Sequence, residues 1–170
     1  LIHAYPNKTY KWGYFPEVKQ YSDIKKIIKL KHPASILWVG RLIELKHPEV
    51  AIQVAEHLKR NGYKFELNMI GEGEKEIDLQ KMINEKNLED CVHLHGFMSP
   101  ERVRGWMERT EIYLFTSDQH EGWGAVLNES LNSACAVVAN RKIGSVPYLI
   151  ENGVNGYTYS QRKRNDLFIK

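Results

Sequence analysis

The sequence predicts an α/β protein, a parallel sheet flanked by helices. Three observations carry this. Five β-rich segments recur along the chain, at Ser35 to Val39, Lys64 to Ile70, Val92 to Leu94, Glu111 to Thr116 and Ala136 to Ala139. The stretches between them carry helical spacing or helix caps, and strands that alternate with helices form parallel βαβ units. Finally, 42% hydrophobic and 26% charged residues are ordinary for a soluble globular domain.

The first 34 residues read as an entry linker, with breakers at Tyr5-Pro6-Asn7 and Phe15-Pro16. Ser22-Asp23 then caps a short helix running to Leu30. Residues 35–170 read as one domain. Between the first two strands, Pro48 to Arg60 spaces Val50, Val54 and Leu58 at four-residue intervals, which predicts a surface helix with Glu56, Lys59 and Arg60 outward. Glu74 to Lys86 predicts a second, burying Ile77, Leu79, Met82 and Ile83. Ser99-Pro100-Glu101 supplies an N-cap, a first-turn proline and a favourable acid for a third. A fourth is expected from Ala125 to Ser133, burying Leu127, Leu131 and Ala134.

At 170 residues the chain suits a single core that buries roughly 70% of the unfolded surface. Lys and Arg exceed Asp and Glu by 24 to 21, too small a surplus for a nucleic-acid partner but compatible with an anionic small ligand. The longest apolar run, Ala134 to Ala139, is far short of the roughly 20 residues that cross a bilayer. His3, Pro6, Asn7 and Lys8 argue against a signal peptide. Cys91 and Cys135 sit in apolar stretches, the usual setting of buried free thiols, and the expected location is the cytoplasm. A start at Leu1 without Met suggests a piece of a longer protein.

Three segments could carry chemistry. Gly40 ends the first strand, Arg41 follows, and Lys46 precedes the helix opened by Pro48. Two cations and a helix N-terminus at the carboxyl end of a parallel strand suit a diphosphate, whereas read singly each is a solvated charge. Gly71-Glu72-Gly73 allows close backbone approach, although a plain strand-to-helix turn explains it equally well. The third glycine of a dinucleotide fingerprint is absent, since Glu76 holds its place. Ser117 to Glu129 follows a strand, turns through Gly122 and Gly124, and enters a helix whose amides point back at the loop. Glu121 is placed in the cleft and Glu129 off the apolar stripe. Carboxylates there can each accept from two adjacent hydroxyls of a sugar or ribose.

Metal binding is not expected. Cys91, His93 and His95 span roughly 13 Å on an extended strand, too far to meet at about 2 Å on one zinc. No Asp-x-Asp pair is available for a divalent cation on a diphosphate.

From about Ser35 to Tyr159 the chain resembles the C-terminal half of the family 4 (group 1) retaining glycosyltransferases, two-lobed GT-B enzymes with Rossmann-like domains. Gly40-Arg41-Leu42 with Lys46 is similar to the family's phosphate-binding pair, and Gly71-Glu72-Gly73 to its second glycine turn. His95-Gly96-Phe97-Met98 is similar to the turn that reads the base. Ser117 and Glu121-Gly122-Trp123-Gly124 through Glu129 match the paired-glutamate motif. The resemblance implies that Arg41 and Lys46 stabilise the departing diphosphate and that Glu121 contacts the donor sugar. Glu129 would hold the ribose, the amides of Trp123, Gly124 and Ala125 the sugar and phosphates, and Phe97 and Met98 the base. Two departures bear on the sugar pocket: Ala134 and Ala136 replace a Gly- and Pro-containing turn, and Ser145 replaces a frequent glycine.

The implied activity is metal-independent hexosyl transfer from a nucleotide-diphosphate sugar to a hydroxyl of an acceptor glycan or lipid-linked glycan, in polysaccharide or glycan synthesis. No cofactor is implied. The partner lobe of the same protein is absent from this chain, so the fragment is expected to be inactive alone, and the full-length protein could be peripheral to the cytoplasmic membrane face. A GT-B sugar-nucleotide epimerase, a non-catalytic nucleotide-binding module and, more remotely, a dinucleotide oxidoreductase are the alternatives.

Overall fold

A computed structural model describes residues 13–160, so the breakers at Tyr5-Pro6-Asn7 lie outside the described residues. In chain order the strands are β1 (His32–Val39), β2 (Glu66–Ile70), β3 (Val92–Leu94), β4 (Thr110–Phe115), β5 (Ala136–Asn140) and β6 (Gly156–Tyr159). They form one six-stranded sheet in the order β3-β2-β1-β4-β5-β6, and every paired neighbour is parallel. This is the Rossmann-like order, with its reversal between β1 and β4, where ligands of open α/β sheets bind.

The helices are α1 (Ile24–Lys29), α2 (Pro48–Arg60), α3 (Glu76–Glu85), α4 (Pro100–Arg109), α5 (Ala125–Asn132) and α6 (Val146–Leu149). Side-chain caps explain the starts of α1 and α4. The Asp23 side chain accepts from the Lys25 amide at 2.9 Å, and Ser99 accepts from Arg102, with Pro100 in the first turn of α4. Successive strand residues face opposite sides. Ile36, Trp38, Leu67, Met69 and Leu114 therefore pack with α2 and α3, whereas Leu37, Tyr113, Phe115, Val137 and Ala139 pack with α4 and α5.

Four expectations need correction. The boundary between residues 34 and 35 falls inside β1, because His32 already pairs with Thr110 through an irregular register. Its first three residues are exposed and carry no apolar pattern to reveal them. The buried face of α2 is Ala51, Ile52 and Ala55, since small residues let the helix approach the sheet, and Val54 and Leu58 flank it. Ile77 is 82% exposed, leaving Leu79 and Ile83 to anchor α3. The sequence reading also missed α6 and β6, each only four residues long.

Leu37 is fully buried at the centre of the sheet. Leu37→Ala is expected to destabilise the domain by about 2–5 kcal/mol, against under about 0.5 kcal/mol for Ile77→Ala, as read from denaturant unfolding.

Candidate functional site

The carboxyl ends of β1, β2 and β3 are stitched together by backbone. The Gly40 amide donates to the Ile70 carbonyl at 3.1 Å, Gly71 to Gly96 at 2.9 Å, and Leu42 to Glu72 at 2.9 Å. Gly71 has φ +143, and a Cβ there would collide with the Gly40 carbonyl, so glycine is required for this approach. The result is a cavity of about 530 Å³ whose wall includes Gly40, Arg41, Gly71, Gly73, Phe97 and Met98. Arg41 is exposed, and its guanidinium makes no hydrogen bond or ion pair among the described residues. Phe97 is 70% exposed, while Met98 packs on the apolar core.

A second cluster forms across the β1/β4 reversal. After Gly40 the chain passes through a 3-10 turn, Glu44–Lys46, before α2 begins. The Trp38 indole donates to the Thr116 hydroxyl at 2.8 Å, and that hydroxyl donates to the Lys46 carbonyl at 2.7 Å. The Asp118 amide donates to the Leu45 carbonyl at 3.2 Å. These bonds hold the turn against the loop after β4, where the Lys46 ammonium meets the Glu121 carboxylate with both side chains mostly buried.

Gly144 donates to the Glu121 carbonyl at 3.2 Å, and Ser145 donates to the Trp123 carbonyl. Gly124, at φ +71, then turns the chain into α5, which lacks a side-chain cap and an acidic residue in its first turn. Among the described residues the amides of Trp123, Gly124 and Ala125 have no hydrogen-bond partner. Such an end binds anions. Ser117 Oγ is also buried without a hydrogen-bond partner among the described residues, although the Ser117 carbonyl accepts from Asn140 at 3.1 Å. The Trp123 indole points elsewhere: it donates to Asn128 at 2.9 Å and stacks on Tyr148.

Glu129 lies in the second turn of α5, and its carboxylate has no hydrogen-bond or ion-pair partner among the described residues. The nearby Tyr113 hydroxyl donates to the Val39 carbonyl at 3.3 Å where β1 ends. Burial pushes that phenol well above its ordinary pKa, and the nearby Cys135, Glu129 and Glu121 push it further. The cavity wall does not itself extend to Lys46, Glu121 or Glu129; the segment from Arg41 to Lys46 connects the two clusters.

At the N-terminus of α2, Glu49 lies in the first turn and bonds the His47 ring at 2.9 Å, and no side-chain hydrogen bond caps the helix. His47 was missed by sequence reading. It caps α2 in a left-handed conformation, φ +47, and its other ring nitrogen meets Asp118 at 3.3 Å. Burial opposes its charge, but the hydrogen bonds to Glu49 and Asp118 outweigh it and raise the pKa above the ordinary imidazole value. Its signal in the sequence was only its place after Lys46.

Glu44, His47 and Glu49 bring potential metal-ligand atoms within 4.8 Å of one another, but the Lys75 ammonium already bridges the two carboxylates. Cys91, His93 and His95 do not converge: the Cys91 thiol meets Leu88, His93 faces Glu66, and His95 bonds Asn68 at 2.6 Å.

Residues 20–168 match the protein family described as glycosyl transferases group 1. The chain belongs to that family. Among its group 1 relatives, the amylovoran biosynthesis glycosyltransferase AmsK of Erwinia amylovora is 36% identical over 133 residues, 75% of this chain and 32% of that protein. The chain thus spans about a third of that relative's length. TarM of S. aureus, crystallised with fondaparinux, α-GlcNAc-glycerol and UDP, aligns with a TM-score of 0.70 at 27% identity, covering 79% of this chain and 27% of TarM. The C-terminal domain of the group 1 protein LpcC of Francisella tularensis aligns with a TM-score of 0.68, covering 85% of this chain and 78% of that domain. At 20% identity it shows the fold alone. The group 1 lobe described here has the fold of GT-B glycosyltransferases. No helix among its described residues is long and apolar enough to cross a membrane.

The Thr116 hydroxyl is fully buried between two partners. Thr116→Val keeps the shape but strands the Trp38 N–H and the Lys46 carbonyl, and is expected to cost about 2 kcal/mol or more in a thermal or urea melt.

Proposed function

We propose that this chain is the donor-binding lobe of a retaining glycosyltransferase that moves a sugar from a nucleoside diphosphate to an acceptor hydroxyl in polysaccharide or glycan synthesis. The observation that carries this is the meeting of Lys46 and Glu121 at the sheet reversal, beside the uncapped amides of Trp123, Gly124 and Ala125. A diphosphate would lie between Arg41, Lys46 and those amides, with its base toward Gly96, Phe97 and Met98. Glu121 would accept from sugar hydroxyls, Glu129 from ribose, and Ser117 Oγ would gain the partner it lacks.

The reaction needs charge stabilisation on the leaving diphosphate more than covalent chemistry. Two cations and a helix N-terminus supply it in a preorganised, partly water-excluded site. With that donor set, and without an Asp-x-Asp motif, the proposed transfer needs no metal. The acceptor, glycan or lipid-linked glycan, would bind a lobe outside this chain, and the whole protein would work in the cytoplasm or at the cytoplasmic membrane face. UDP is the natural first probe, since the TarM structure contains it.

UDP at 100 times its dissociation constant stabilises a protein by about 2.7 kcal/mol, and is expected to raise the melting midpoint of this chain by roughly 5–10 °C. A flat response to every nucleoside diphosphate tested would sink the reading. In the full-length enzyme Arg41→Ala is expected to lower kcat/KM about a hundredfold or more, and near-normal turnover would remove Arg41 from the chemistry. The isolated chain is expected to bind donor without useful transfer.

A further inference from the structure

Among the described residues His47 is the one side chain that bonds both to the start of α2 and to the loop that delivers Glu121. Its Nδ1 lies 2.9 Å from a Glu49 oxygen and its Nε2 lies 3.3 Å from an Asp118 oxygen. Carboxylates only accept, so satisfying both requires two N–H donors, and imidazole offers two only when protonated. The backbone at His47 is left-handed, a conformation that persists in a non-glycine residue where surrounding contacts enforce it. Those contacts reach the site directly. Lys46 precedes His47, the Asp118 amide bonds Leu45, and the Glu121 amide donates to the Asp118 carbonyl at 3.2 Å.

We propose that protonated His47 is a positioning residue that locks the Lys46 turn to the Glu121 loop, so that the donor site is assembled while the imidazole is charged and loosens when it is neutral. The inference rests on the donor-site reading above.

The charges around the ring decide which contact yields. Glu49, on α2, also has the Lys75 ammonium at 3.3 Å, and Lys75 in turn holds Glu44 of the 3-10 turn. Among the described residues the charged partners of Asp118 are His47 and the largely exposed His120, at 3.0 Å, whose backbone amide also donates to the Asp118 carboxylate at 2.8 Å. Loss of the His47 proton therefore leaves Glu49 compensated and releases the Asp118 loop. The folded-state pKa is raised, so the lock is complete below the ordinary imidazole value and is lost as pH rises through the folded-state value.

The test compares this chain with His47→Asn, since Asn tolerates the left-handed backbone but carries no charge. UDP affinity is measured by calorimetry at about pH 6 and about pH 9, either side of an imidazole titration. The phosphate's own titration is common to both proteins and cancels in their ratio. The variant is expected to bind about tenfold more weakly at the lower pH and within about twofold at the higher. Asp118→Asn should reproduce this pattern. A ratio that stays constant with pH would mark His47 as merely structural and overturn the proposal.

NMR of the unsubstituted chain supplies a readout independent of UDP, because the Asp118 and Glu121 amides should titrate together with the His47 ring. If UDP binds neither protein while those amides follow His47, the donor reading fails and the lock stands. Amides indifferent to His47 would refute the lock.

Discussion

Everything at the site depends on a problem of parallel sheets: at the β1/β4 reversal the chain leaves adjacent strands in opposite directions, so no ladder hydrogen bond can hold the two exits together. The Thr116 hydroxyl solves it by accepting from Trp38 inside β1 and donating to the carbonyl of Lys46. The hydroxyl is fully buried, where water cannot replace a lost partner. The backbone of Lys46 is thereby tied to the strand that leads to Glu121.

Electrostatics fills the crevice that sterics defines. Without ligand, Lys46 and Glu121 neutralise each other in a mostly buried contact, so neither charge is left uncompensated. Arg41, exposed at the neighbouring cavity, carries a charge with no partner among the described residues. Two helix ends approach the same region and differ in what they offer. The α2 end carries Glu49 in its first turn beside His47, while the α5 end, turned by Gly124, has no acidic residue there. On that difference the α5 end is the more favourable of the two for an anion.

Much of the candidate site was legible because its signals are local. Gly71, Gly73 and Gly124 stand where the backbone must turn tightly or approach another segment, and such a need shows in the residue itself. Other features were hidden because their cause lies elsewhere in the chain. Gly156 begins β6 because a Cβ there would meet the Val137 carbonyl, a reason invisible without knowing that β5 is its neighbour. Ser145, read as a departure from the family pattern, ties the start of α6 to the Trp123 turn. Ala134 takes the left-handed conformation at φ +57 without glycine.

By itself the sequence determined the alternation of strands and helices, the side-chain caps of α1 and α4, and the residue types that the proposed diphosphate and sugar would require, since caps, periodicity and turn chemistry act over a few residues. Only the tertiary structure decided that Lys46 meets Glu121, that Thr116 bridges Trp38 to the turn, and that His47 faces both Glu49 and Asp118. Those pairs stand up to 78 residues apart in the chain. Their proximity follows from the strand order, which places β1 beside β4, and no local propensity encodes it.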